Sequence, residues 1–396
     1  MNKPKMLYAS PFPPKRSGIS EYSSVLVGLL ARDFDITLYA DDYELTDSTL
    51  QAYPVLRHGR DEIRPEQYDV AVYNIGNSEF HDYIYDAALA HPGVVILHEV
   101  VLYHFILTHY GTKGRVPYEE VYRRFGPEIF FSVKEAVKCG DLLSPERVTS
   151  LPMYEELLRS GNRIIVHSAF SREKILQSGL ISPEKVAQIN MPLQTVPGGK
   201  RLFREALCAK YGIPEGKRLI CSFGMIQNAK KNLETCRAVK ALAAEGMTDL
   251  YYLMVGSGDY ADGELCEGIV GKTGYTELDD FNSLIAAADI IVNLRYPSLG
   301  ETSAALLRIL QERKACITND GGWFSEIPDS CVRKIPTEGS WEEHIAQAIR
   351  ELLETPGEIG RLEREAGRYI ETEYDNDRIE ARFREELMIG VNKWTT

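Results

Sequence analysis

The chain of 396 residues holds 45 Lys and Arg against 58 Asp and Glu, a net charge of −13, with 44% hydrophobic and 26% charged residues. That length exceeds what one hydrophobic core usually organises, so two domains are expected. The acidic balance argues against a nucleic-acid binder, which needs a broad basic surface, but leaves room for one local cationic pocket.

The first half offers short apolar runs at KMLYAS (5–10), DITLYA (35–40), DVAVYNIG (69–76), GVVILHEV (93–100) and NRIIVHS (162–168). The second half offers RLICSFGM (218–225), LYYLMVGSG (250–258), DIIVNLRYP (289–297) and ACITND (315–320). Runs of this length, apolar on both faces, suit parallel strands covered by helices. Amphipathic stretches such as ISEYSSVLVGLLARDF and NLETCRAVKALAAEG lie between them. The alternation occurs twice and predicts two doubly wound α/β domains. The boundary is expected within 191–202 (MPLQTVPGGKRL), where two prolines and a Gly-Gly pair interrupt the pattern. The division is then 1–193, 194–374 and a closing helix, 375–396, returning to the N-terminal domain. Residues 101–160 show helical patterns without a strand, an insertion that serves as a lid, a partner surface or extra packing.

Polar residues just after the runs are the ones to inspect, because ligand crevices form at the carboxyl ends of parallel strands. The first run is followed by SPFPPKRSGISEYS (10–23), with Lys15, Arg16 and Gly18 before a helix start expected near Ser20. It reads either as a stiff surface turn or as an anion-binding strand–turn–helix. His98 and Glu99 end GVVILHE. Gly224 precedes MIQNAKKN, where Lys230 and Lys231 suit a diphosphate or are two solvated charges. Arg295, Ser298, Gly300, Glu301, Thr302 and Ser303 crowd the next strand–loop–helix junction, where Thr302 or Ser303 is a candidate N-cap. Gly321, Gly322 and Glu326 follow ACITND.

Taken in order, these pieces resemble the GT-B glycosyltransferases of family 4, which are retaining enzymes that use nucleotide sugars. PFPPKRSGISEYS is similar to the family's N-terminal glycine loop, LHEV to its crevice histidine, FGMIQNAKKN to its "GR…KG" segment, LRYPSLGETS to its "PS…E" segment, and NDGGWFSE to its "D.GG..E" ending. The resemblance implies two Rossmann-like domains facing a central cleft, the N-terminal one on the acceptor side and the C-terminal one on the nucleotide-sugar side. It implies transfer of a sugar from a nucleotide diphosphate to a glycan, glycolipid or other acceptor in polysaccharide or glycoconjugate synthesis. No metal and no other cofactor is expected. His98, Lys230 and Glu301 would be catalytic. Gly18, Gly224, Lys231, Arg295, Gly300, Thr302, Ser303 and Glu326 would hold the donor. Arg16, Arg123 and Arg124 would meet the acceptor.

Two departures stand out. Met225 occupies the arginine position of "GR…KG", and the second glutamate of the family's pair is replaced at Arg308 or Ile309. Arg295 and Arg308 are candidates to supply the missing phosphate charge. The departures keep open an impaired GT-B protein that binds a nucleotide sugar or glycan as a regulatory module. A nicotinamide-dependent oxidoreductase ranks lower, since no GxGxxG follows the first strand. Seven scattered cysteines without a CxxC pair, together with the lack of a secretory h-region, favour a cytoplasmic location. Peripheral contact with the inner face of a membrane and the oligomeric state stay open.

Overall fold

The structure is a computed structural model and describes residues 3–111, 115–194 and 201–391. Half of the expected boundary stretch, residues 195–200, lies outside the described residues. The chain divides into two compact units: 1–194 with 299–302 and 374–396, and 195–298 with 303–373.

The first unit contains β1 (Lys5–Ala9), α1 (Gly18–Leu30), β2 (Asp35–Ala40), β3 (Val55–Arg57), β4 (Val70–Ile75), α2 (Asp82–Ala90) and β5 (Val94–Leu97). Helices α3 (Tyr103–His109), α4 (Tyr118–Cys139), α5 (Pro145–Ser150) and α6 (Glu155–Arg159) come next, then β6 (Arg163–Val166), α7 (Ala169–Gln177) and β7 (Val186–Gln188). Its seven strands run parallel in the order β3-β2-β1-β4-β5-β6-β7. β4 and β5 are buried at every position, as strands covered on both faces must be. The span 101–160 is helical as its pattern predicts, and α4 bends where Gly126 takes φ +87 ahead of Pro127.

The second unit contains α8 (Arg204–Tyr211), β8 (Arg218–Phe223), α9 (Asn232–Ala244), β9 (Leu250–Val255), β10 (Val270–Lys272), α10 (Leu278–Ala287) and β11 (Ile290–Val292). It continues with α11 (Ala304–Gln311), β12 (Cys316–Asn319), β13 (Arg333–Ile335), α12 (Trp341–Glu354) and α13 (Glu358–Glu373). Its six parallel strands run β10-β9-β8-β11-β12-β13. The closing helix, α14 (Asn376–Val391), belongs to the first unit and packs on α1 and β4. Asn376 fixes its start by exchanging two hydrogen bonds with the Leu193 backbone, at 2.8 and 2.9 Å. Its own Phe383 and Leu387 are fully buried.

Strand order reverses direction between β1 and β4 in the first unit and between β8 and β11 in the second. Such switch points open a crevice at the carboxyl ends of the strands. The loops after β1, β4, β8 and β11 are therefore the places where each unit can hold a ligand.

Candidate functional site

In the second unit the loop after β8 turns at Gly224, whose φ of +94 favours glycine. Lys230 lies in a short 3-10 turn, 228–230, and its ammonium folds back to donate to the Phe223 carbonyl. A β-carbon on Gly224 would collide with that ammonium, so the glycine makes room for the lysine as well as for the turn. Burial, and then the nearby positive charge of Arg295, pull the Lys230 pKa down to about 7. Desolvation and a second cation both disfavour the charged lysine, and an anion at this point would relieve both.

Lys231 does something else. It takes the left-handed conformation, φ 55, and is nearly buried. Its ammonium pairs with Glu234 at 3.4 Å and lies 5.4 Å from the Tyr296 ring centroid and 5.1 Å from that of Trp341. Its charge is met within the unit, which fits a structural lysine better than the donor contact expected from the sequence. Arg308 is likewise turned inward. It is buried on α11 and donates to Asn282 Oδ1 at 3.2 Å, so it does not supply the phosphate charge considered for it.

The loop after β11 is held from both ends. The Tyr296 amide donates to the Ala229 carbonyl at 2.8 Å, and the Arg295 amide to Asn319 Oδ1 at 2.7 Å. The Lys230 turn and the Arg295 backbone are thereby tied together. Ser303, not Thr302, is the N-cap of α11, its hydroxyl accepting from the Leu306 amide at 3.1 Å. Gly322 has φ +61, and a β-carbon there would sit 2.6 Å from Ser298 Cβ, so only glycine passes this close to the loop. Glu326 ends the 3-10 turn 322–326 and is partly exposed. Met225 is 65% exposed and carries no charge into the site.

Gly300, Glu301 and Thr302 group with the first unit. There, the Val100 amide donates to the Leu299 carbonyl and the Ser171 hydroxyl to the Gly300 carbonyl, each at 2.7 Å. Gly300 has φ +88, and a β-carbon would meet Ser171 Oγ at 2.9 Å and collide with Val100. Glu301 accepts from the Leu299 amide at 2.6 Å, which fixes its carboxylate across a tight turn. Thr302 Oγ1 is buried with no hydrogen-bond partner among the described residues.

The rest of the first unit's site gathers after β1, β4 and β5. Helix α1 starts at Gly18, two residues before the expected position, because Ser17 caps it by accepting from the Ser20 amide at 3.1 Å. Gly18 and Arg16 are exposed at this helix start, where amides and the dipole favour an anion. Lys15 is held by Asp41 at 3.8 Å and lies over the Tyr43 and Phe80 rings. His98 comes directly after β5. Its Nε2 meets Asn74 Oδ1 at 3.1 Å, and its ring stands edge-on to Tyr22 with centroids 4.6 Å apart and 5.2 Å from His167. Burial foremost, then His167 and His81, hold its pKa well below the ordinary value, so the ring is neutral at pH 7.

Arg123 and Arg124 lie on α4, bound to its own acids. Arg123 reaches Glu120 at 2.5 Å, while Arg124 reaches Glu120 at 2.8 Å, pairs with Glu156 and lies 4.2 Å from the Tyr110 centroid. Glu156 also accepts from Tyr85 and Tyr110, at 2.9 and 3.0 Å. Arg124 thus closes a structural network between α4, α6 and α2, contrary to its expected place on an acceptor surface, and Arg123 remains the more exposed of the two. In this segment Tyr122 and Phe131 are exposed, whereas Phe125 is buried. Asn74 and His167 adjoin His98, and a search of the positions just after each run does not single them out. Asn74 lies inside a run, and a polar residue within VAVYNI is the signal that marks it.

No family model and no curated protein matches this chain. Among solved structures, a glycosyltransferase from Rickettsia africae is similar over 99% of this chain and 100% of its own, with 14% identity and a TM-score of 0.64. Anabaena HepE in complex with UDP-glucose covers 97% of this chain and 99% of its own, at 13% identity and TM-score 0.63. A putative UDP-N-acetylglucosamine 2-epimerase from Listeria monocytogenes covers 96% and 95%, at 11% identity and TM-score 0.56. At these identities the likeness establishes the fold, two Rossmann-like units of the GT-B class, and the fold hosts more than one chemistry.

Proposed function

We propose that this protein is a metal-independent glycosyltransferase of the family 4 type, which moves a sugar with retention of configuration from a nucleotide diphosphate sugar to a glycan or lipid-linked acceptor. One observation carries the reading most directly: Lys230 is held desolvated beside a second cation, Arg295, at the mouth of β8. Two cations gathered at a strand end suit a diphosphate leaving group, whose charge grows as the glycosidic bond breaks. The complex of HepE with UDP-glucose, on the same fold, supports a nucleotide-sugar donor. In this reading Glu301 accepts hydrogen bonds from the transferred sugar. Gly18, Gly224, Arg295, Gly300, Thr302, Ser303 and Glu326 surround the donor, and Arg16 and Arg123 face the acceptor. Retention, metal independence and a role in polysaccharide or glycoconjugate synthesis rest on the sequence resemblance. The scattered cysteines support a cytoplasmic location, with peripheral contact at the inner face of a membrane left open in this reading; among the described residues no helix is long and apolar enough to cross a membrane.

A panel of UDP-, GDP-, dTDP- and ADP-sugars tests this reading by thermal shift, with and without EDTA. A preferred donor raises the melting temperature by mass action, and that donor is then consumed when crude glycan or lipid extracts are added. Binding of none of the four classes overturns it. A second reading, a nucleotide-sugar-binding regulatory module, is favoured by the buried Arg308–Asn282 pair, at one of the two positions, 308 or 309, where the resemblance would put the family's second carboxylate. Donor binding without turnover selects it.

A further inference from the structure

Asn74 is fully buried in β4, and its amide is oriented by chemistry on two sides. Its Nδ2 donates to the Ala9 carbonyl at 3.2 Å, at the end of β1. A carbonyl only accepts, so turning the amide over would set two oxygens against each other. Oδ1 is therefore the atom that faces His98 Nε2 at 3.1 Å, and it too only accepts. The backbone of the same residue is fixed by His81, whose Nδ1 donates to the Asn74 carbonyl at 2.9 Å. His98 Nε2 must then carry a proton. Its Nδ1 has no hydrogen-bond partner among the described residues, and the residue is only partly buried. The titratable groups around the ring are Tyr22, His167 and His81, and none is an anion that would favour imidazolium.

We propose that Asn74 is a positioning residue which locks His98 as the neutral Nε2–H tautomer, so that the bare Nδ1 accepts a hydroxyl proton of the bound substrate. The inference rests on the glycosyltransferase reading for its substrate, and on this geometry alone for the ring. A neutral imidazole presenting a lone pair takes a sugar hydroxyl and is a poor partner for a phosphate, which offers only acceptors at pH 7. His98 thus reads the sugar, and the phosphates are left to the cations after β8 and β11.

The test is nitrogen-15 NMR of selectively labelled histidines, of which the chain has eight, with His98→Gln assigning the signal. The full-length wild-type protein should show His98 protonated at Nε2 and bare at Nδ1, unchanged between pH 7.5 and about 5.5. An Nδ1–H tautomer, or an imidazolium in that range, overturns the proposal. Asn74→Asp places a carboxylate against Nε2–H. It should drive His98 to the charged form and lower turnover at least tenfold at pH 7, leaving nucleoside diphosphate affinity within about twofold. An unaltered His98 spectrum in a folded Asn74→Asp protein also overturns it, and the wild-type spectrum decides alone if that variant does not fold. If the spectrum is as expected but no nucleotide sugar is bound or turned over, the glycosyltransferase reading fails and the tautomer assignment stands.

Discussion

The Lys230 ammonium donates to the Phe223 carbonyl and lies where a β-carbon of Gly224 would stand. A lysine with a pKa near 7 is about half neutral at physiological pH, and a bound diphosphate restores its ordinary value. The bound state then holds more protons than the free state above pH 7. Affinity for the preferred intact nucleotide sugar, whose phosphates do not titrate in this range, should be flat below pH 7. Above it, affinity should fall by up to about tenfold per pH unit. Calorimetry from pH 6 to 9 measures the profile. Lys230→Ala should weaken binding and flatten the curve, and Lys231→Ala, with its charge on Glu234, should leave the curve's shape intact. A flat wild-type profile removes Lys230 from the phosphates.

Glu301 accepts from the Leu299 amide, and a glutamine can still accept that bond. Glu301→Gln should therefore fold normally while losing the charge that strengthens hydrogen bonds to the sugar. At ~1.5–3 kcal/mol for a charge-assisted bond, kcat should fall about 10- to 100-fold with the donor saturating. Near-wild-type turnover would place Glu301 outside the site. Gly300→Ala, in contrast, should lower stability, because the new methyl group meets Val100 and Ser171 in a conformation that disfavours alanine.

All nine strands read from the apolar runs are present, and the four that were missed are the outermost ones: β3, β7, β10 and β13. Each has three residues and is only partly buried, so none shows the continuous apolar run that a covered central strand requires. The same logic governs the site. Gly224, Lys230, Arg295 and Ser303 do lie in the loops after β8 and β11, where reading the positions just after each apolar run places them. Lys231 was misjudged because adjacent lysines look alike in a sequence, and only a left-handed backbone sends the second one towards Glu234, Tyr296 and Trp341. Arg124 was misjudged because its partner, Glu156, is 32 residues away.

Burial keeps three histidines of the first unit neutral: His81 and His167 have pKa values lowered to about 4, and His98 lies well below its usual value. In the unfolded chain each titrates near 6.5. Between those values the unfolded state holds more protons, so stability is full above pH ~6.5 and falls as pH drops towards ~4. The slope approaches ~1.4 kcal/mol per pH unit for each ring. His109 has the opposite sign. Burial lowers its pKa, but Asp82 and Asp86, at 2.8 and 3.1 Å, outweigh that and raise it to about 9. Its contribution is complete below pH ~6.5 and is lost as pH rises to about 9. Urea denaturation across pH 5–9 should give a stability maximum near pH 7. His81→Gln should reduce the acid slope, and equal stability at pH 5 and pH 7 would show that the buried rings charge freely.

The last prediction separates two neighbouring arginines on α4. Arg124 is bound to Glu120 and Glu156 and covers Tyr110, so its removal leaves the Glu156 carboxylate, to which two tyrosine hydroxyls donate, without its cation. Arg124→Ala should cost about 1–3 kcal/mol of stability and lower donor hydrolysis and transfer together, as loss of scaffold does. Arg123 is bound to Glu120 through an exposed pair, which is worth little to folding. If the insertion meets the acceptor, Arg123→Ala should keep the melting temperature, donor affinity and slow donor hydrolysis, and raise the acceptor's apparent KM several-fold. Steady-state kinetics at saturating donor, set beside a melting curve, measures both variants. An unchanged acceptor KM in Arg123→Ala assigns the helical insertion to packing, with its exposed Tyr122 and Phe131 taking no part in transfer.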